Sequence, residues 1–304
     1  MTPRLRAPIA PALAIRALVG LAALLAYGAS FAAHTAGRVP LGASFGGAVA
    51  AVVLVGALTR RYGIALPGNG FSSYVLALML YALAARGWAF ATLVAPFAIG
   101  LGDVFLRRLP VRAALVNAAH LTAGTAVAGL AYARAGGASG AAALAGDNVL
   151  PLAGLMLLLP LVVNGTFYLD LALGRSLAWA DKPMTLRWEA IVYGASALLA
   201  IAWLRFTHAD VGLAPSLVVL AGLVTATAGS VYVIRFGVRA DELRLIQGLS
   251  RAIAGEMSLA KAFPRIQELV RALVPWEQMG FARYDPRKRE MELVADTALG
   301  GGGP

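Results

Sequence analysis

Eight apolar segments recur along this chain, at 14–33, 41–58, 70–85, 88–106, 111–133, 148–171, 186–204 and 213–234. Each is close to the roughly 20 residues that carry a helix across a bilayer. Backbone groups in hydrocarbon must bond to one another, so segments of this kind are expected to be helices. The third and fourth are the least separate. Pro67-Gly68-Asn69-Gly70 breaks the entry to one, and only Arg86 and Gly87 divide the pair. Seven spans, or a re-entrant segment near Pro67, stay open at this point. Composition agrees with the membrane class: 13% of residues are charged, about half of what a soluble domain carries. The expected fold is mainly α, a polytopic membrane helix bundle of about eight transmembrane helices with a small C-terminal α/β fragment.

The excess positive charge sets an orientation. Residues 1–239 hold 17 Lys and Arg against 6 Asp and Glu, whereas residues 240–304 hold 9 of each. With the N-terminus inside, thirteen of those 17 cations fall in inner segments, and only Arg38, Arg86, Arg134 and Arg205 fall outside. That is the positive-inside pattern of an inner membrane protein with its tail in the cytoplasm. A neutral tail offers no basic face to phosphate, so nucleic acid is not an expected partner. The chain has no Cys, which removes disulfides, thiolate metal sites and a cysteine nucleophile. Arg4, Arg6 and the apolar run to Ser30-Phe31-Ala32 have the outline of a signal peptide. With seven more spans following, a retained first helix is the expectation.

The stretch 213–257 joins two kinds of sequence. It is apolar to Ile234, and from Arg235 charge alternates with Leu243, Ile246, Leu249 and Ile253. Spacings of three, three and four place those four residues on one helical face, a short coiled-coil seam that suggests a parallel homodimer. The domain boundaries read as 1–235 for the bundle, 236–257 for a linker helix, with at most a bend near Gly237, and 258–304 for the soluble part. In that part Ser258 starts a second helix with Lys261 where a capping-box acid would stand. Gln278–Tyr284 and Glu290–Ala295 read as strands around an Asp285-Pro286-Arg287-Lys288 turn. Two helices and one hairpin do not enclose a core, so the soluble part is expected to be incomplete or to be completed by a partner protein.

The tail "ADELRLIQGLSRAIAGEMSLAKAFPRIQELVRALVPWEQMGFARYDPRKREMELVADTA" resembles the beginning of a GAF domain, with Gly280, Phe281 and Tyr284 on its first strand. The stretch "GDVFLRRLPVRAALVNAAHLTAGTAVAGLAY" is similar to the integral-membrane sensory regions that precede GAF and then HD-GYP, GGDEF, histidine-kinase or phosphatase modules in bacterial signalling proteins. The resemblance implies a signal-input module. No GGDEF run, HD pair, kinase His box or Gly-rich nucleotide loop occurs in the chain, so no catalysis, catalytic residue or cofactor is expected of it. A small-solute transporter or capture subunit is the alternative, and a plain membrane anchor a third.

Polar residues inside apolar segments are the candidates for sensing or ligand binding. Asp103 has Arg107 four residues on, a spacing that also suits a local ion pair. Asn117 and His120 share a helical face with Thr122 and Thr125, where polar groups commonly bond across helices. His120 is the one candidate that can change charge near neutral pH. Asn164 lies in the sixth segment. Asp170 and Glu189 are expected to pair with Arg175 or Arg187. The chain has three His, of which His34 and His208 are expected at outer loops, so no metal site is expected. Gly42-x-x-x-Gly46, with Gly47, suggests close helix contact. Trp88, Trp179, Trp188 and Trp203 mark span ends, and Trp276 reads as core of the soluble part.

Overall fold

The computed structural model describes residues 10–36, 44–66, 70–174, 183–208, 213–255, 263–264, 266–270, 278–285 and 289–297. It is mostly helical. In chain order the elements are α1 (Ala10–Thr35), α2 (Ser44–Arg61), β1 (Ile64–Leu66), β2 (Gly70–Ser72), α3 (Val75–Leu101), a π-helical turn (Gly102–Leu106), α4 (Val111–Arg134), α5 (Val149–Gly174), α6 (Pro183–Thr207), α7 (Leu213–Gly255), β3 (Gly280–Asp285) and β4 (Glu290–Asp296). Among the described residues five helices are long and apolar enough to cross a membrane: Pro11–Thr35, Val75–Leu106, Val111–Arg134, Gly146–Leu173 and Met184–Thr207.

The third and fourth apolar segments form two helical arms that follow one another directly within α3. Gly87 divides it, with φ 83° and ψ 175°. A side chain there would be strained, so glycine permits the break. The residues flanking the Pro67–Gly70 break pair as a small antiparallel hairpin, Ile64 with Ser72 and Leu66 with Gly70; residues 67–69 lie outside the described residues.

The chain divides into two compact units. The larger comprises Met1–Gly63, Ser73–Leu177 and Ile191–Val231. Its core is built on α3 and α4, with Met79, Leu83, Phe90 and Leu121 fully buried and joined by Leu155, Leu159 and Leu204. The surface around this core is apolar as well: Leu24 is 72% exposed, Leu150 82% and Leu157 75%. A soluble protein would expose polar groups there, whereas lipid accepts leucine.

Close packing uses small residues, at other positions than the Gly42/Gly46 spacing suggests. Gly46 and Gly47 have nothing within 4 Å of where a Cβ would stand, and Gly42 is outside the described residues. Instead a Cβ on Gly56 would lie 2.6 Å from that of Ala98, and one on Gly124 would lie 2.4 Å from Val163. α2 and the second arm of α3 run parallel. Phe45 meets Phe90 edge-on at 5.8 Å near one end, and Arg60 meets Asp103 near the other. His34, expected in a loop, is buried in the last turn of α1, with Nδ1 2.8 Å from the Ser30 carbonyl and its ring against Phe45.

The smaller unit comprises Ile64–Ser72, Ala178–Ala190 and Tyr232–Pro304. β3 and β4 pair antiparallel from Gly280↔Asp296 to Asp285↔Glu290, with a bulge between Phe281 and Ala282. This is the hairpin expected from the alternating pattern. The helix is continuous through Gly237 and does not end there. A Cβ at that glycine would lie 2.3 Å from the Trp188 ring, so the tryptophan packs on the helix backbone. Trp188 Nε1 also donates to Asp241 Oδ2 at 3.1 Å, and Arg187 pairs with the same carboxylate. Arg187 is thus the partner of Asp241, and the expected pairing with Asp170 is not made. Ser258, Lys261, Trp179 and Trp276 lie outside the described residues.

Candidate functional site

The larger unit buries two carboxylates, Asp103 and Asp170, and gathers several donors around the first. Asp103 is 0% exposed and sits in the π-helical turn that ends α3. The wider turn has its own hydrogen bond, from the Arg107 amide to the Gly102 carbonyl at 2.9 Å. Such turns are inserted where a helix must re-aim a side chain. Leu109 N then donates to the Asp103 carbonyl at 2.9 Å, and Arg108 takes φ 57° before Pro110 leads into α4.

Four donors converge on the Asp103 side chain. Arg60 binds it through both edges of its fork, Nε to Oδ1 at 2.8 Å and Nη2 to Oδ2 at 3.0 Å. Arg107 Nη1 donates to Oδ1 at 3.0 Å, and Asn117 Nδ2 to Oδ2 at 2.7 Å. Arg60 also reaches the Ser73 hydroxyl at 3.3 Å. The expected i,i+4 pair with Arg107 is therefore present, as one arm of a larger knot that ties α2, α3 and α4 together. Gly102 makes room for it: a Cβ there would lie 2.7 Å from Arg60 Cβ and 2.9 Å from the Ala57 carbonyl.

A carboxylate offers about four lone-pair sites, and here four donors fill them. Asp103 is consequently poor as a general base, because no acceptor position is left for a substrate proton. The geometry suits a charged fastener whose state is coupled to the spacing of three helices.

The other candidates go elsewhere. Asn117 and His120 share a face but not a site. His120 Nδ1 lies 2.9 Å from Thr166 Oγ1 on α5, and its ring packs edge-on against Phe167. Asn164 is spent within its own helix, donating to the Pro160 carbonyl at 2.9 Å. Asp170 was expected to pair with Arg175 or Arg187; Arg187 goes to Asp241 instead and Arg175 lies outside the described residues. Asp170 pairs with Arg16 on α1, whose Nε lies 2.8 Å from Oδ1. Arg16 and Asp170 are 154 positions apart, which is why no local spacing rule finds them. Among the described residues no group of three or more His, Asp or Glu is placed to hold a metal ion.

Because Asp170 is buried and Arg16 is the partner it has, the two should behave as a coupled pair. Arg16→Leu and Asp170→Leu made together are expected to cost less than the sum of the single changes. The coupling energy from unfolding in detergent should be about 0.5–3 kcal/mol. Additive costs would show that the contact does not stabilise the bundle.

Sequence reading missed Arg60, Ser73 and Arg16 as members of these clusters. Arg60 and Arg61 end an apolar segment, and their charge was fully used as an orientation signal. Comparison of the chain with protein-family models, with characterised proteins and with solved structures finds no match in any of the three.

Proposed function

We propose that the chain is the signal-input part of a bacterial signalling protein, a membrane bundle that acts through α7 on a cytoplasmic GAF-type fragment. The observation that carries this reading is α7 itself. One helical element, Leu213–Gly255, leads from an apolar stretch into a charged one without interruption. In its second half Leu243 is 58% exposed and Ile246 47%, apolar side chains left for a partner. Leu249 and Ile253 continue the same spacing in the sequence. Arg187 and Trp188 hold Asp241 on this helix, a contact through which α6 can bias its position. Signal transfer then requires only that the stimulus favour one of two helix arrangements over the other; equal affinity for both would shift nothing.

Eight crossings with both termini inside belong to the same proposal, in the inner membrane of a bacterium. The break at Gly87 supports them, because it lets the two arms of α3 turn back on one another. The arm Val75–Arg86 rises about 18 Å, less than the roughly 30 Å hydrocarbon core. The non-helical residues before it complete the crossing, and Ser73 and Tyr74 are buried in protein there, where irregular backbone is tolerated. A GAF-type identity for the tail is supported by the β3–β4 hairpin and by buried Phe263 and Ile266.

The absence of native Cys makes the test direct. Ile246→Cys and Ile253→Cys in native membranes are expected to give disulfide-linked homodimers on mild oxidation, with outward-facing Arg244→Cys giving far less. Absence of dimer at both seam positions overturns the reading. One feature favours the transporter alternative: a helix broken at Gly87 that carries a buried acid, an arrangement that solute sites also use. Uptake of a small solute by residues 1–235 in vesicles would replace the signalling reading with that one.

A further inference from the structure

A groove of about 470 Å³ runs along the larger unit between α1 and α4. Its wall is apolar, with Val19, Leu115 and Ala119 among the lining residues, and three polar side chains line it too: Arg16, Arg112 and His120. Leu115 is 65% exposed, so the groove opens sideways, toward lipid in a membrane. We infer that it binds the carboxylic acid end of a single-chain fatty acid.

The chemistry follows from the hydrogen bonds of His120. Thr166 Oγ1 lies 2.9 Å from the Val162 carbonyl and 3.1 Å from the Val163 carbonyl. With its one hydroxyl hydrogen given to either carbonyl, Oγ1 accepts from His120 Nδ1–H. Nε2 is left with a lone pair and, though His120 is 2% exposed, has no hydrogen-bond partner among the described residues. A buried polar atom of this kind calls for a ligand. It needs a donor, and Arg112 needs an anion.

A carboxylic acid supplies both from one group. Its O–H donates to Nε2, and its second oxygen accepts from an arginine. Should the proton pass fully to Nε2, the products are an imidazolium and a carboxylate, and the total charge is unchanged. A phosphodiester headgroup has the anion but no proton to give. A diacyl lipid also exceeds the groove, whereas one acyl chain fits a site of this volume. Local charge agrees as well. Arg16 is balanced by Asp170, and Arg112 is exposed and makes no ion pair among the described residues, so one added anion brings the groove to neutrality.

This inference rests on the proposed input role only for its consequence, since binding is measured without any signalling readout. A palmitic acid carrying a photoreactive diazirine is added to the full chain in phosphatidylcholine nanodiscs. Labelling is expected on the peptide containing Leu115–His120. Unlabelled palmitate should compete, while methyl palmitate, which has no acid proton, should compete about tenfold more weakly. His120→Phe should remove this preference for acid over ester. Arg112→Gln should weaken binding, and Arg134→Gln, the same charge change away from the groove, should not. Equal competition by the methyl ester, labelling elsewhere in the chain, or displacement by phosphatidylglycerol as readily as by palmitate overturns the inference. If His120→Phe does not fold, the acid-against-ester comparison in the unmodified chain decides by itself. A seam that fails to cross-link would sink the signalling role and leave this binding result untouched.

Discussion

Asp103→Ala is expected to destabilise the bundle by about 3–5 kcal/mol, measured by denaturant or thermal unfolding in detergent. The cost arises from what is left behind. Arg60 has a side chain only 8% exposed and is bound through both edges of its fork to this carboxylate. Without Asp103 its guanidinium remains buried and loses the anion that offsets its desolvation. Arg107 and Asn117 lose a partner at the same time. Replacing both ends of the pair with apolar residues, Arg60→Met with Asp103→Leu, should recover much of the loss, because a buried pair exchanged for well-packed side chains is often nearly neutral. A double variant as unstable as Asp103→Ala alone would show that the knot is required as a charged object. Asp103→Asn should fall between these, since the amide keeps the shape but removes the charge.

The second large effect is expected at Gly102. Gly102→Ala should cost about 1–3 kcal/mol through overpacking, because the new methyl would meet Arg60 Cβ at 2.7 Å and the Ala57 carbonyl at 2.9 Å. The carbonyl belongs to the backbone of α2, so relief requires α2 to move away and the Arg60 fork to lose its alignment. Gly46→Ala provides the contrast. It has nothing within 4 Å, and alanine suits a helix better than glycine by roughly 1 kcal/mol, so this substitution should be neutral or stabilising. Equal losses at both positions would contradict the packing described here.

These two positions show how far sequence reading reaches. Asp103 was found as an acid in an apolar segment, because a charge in hydrocarbon is costly and therefore informative wherever it occurs. The pair with Arg107 was also legible, since helical spacing brings i and i+4 together. Arg60, 43 positions away, was not, because no periodicity links two helices that meet only after folding. Glycine spacing failed for a related reason. The chain has 34 Gly, and which of them faces another helix depends on how each helix is rotated. The rotation that puts Gly56, Gly102 and Gly124 at contacts leaves Gly46 and Gly47 facing open space. His120 was singled out as a polar residue in an apolar segment, but its contact with Thr166 was not legible, because Thr166 lies on α5.

The sequence by itself determined the class of the molecule. Length, hydropathy and the distribution of charge act locally or additively, so they show that the chain is helical and built of membrane-length segments, that the apolar part of α7 runs into a charged one, and that a hairpin follows. Tertiary structure decided everything that depends on pairing. It placed the break between the third and fourth segments at Gly87, closed four donors around Asp103, gave Arg16 to Asp170, and left His120 Nε2 with no partner among the described residues. The physical reason is that burial energy and helix periodicity belong to single segments, whereas a hydrogen bond or a close contact belongs to two segments and is set by their relative rotation and depth.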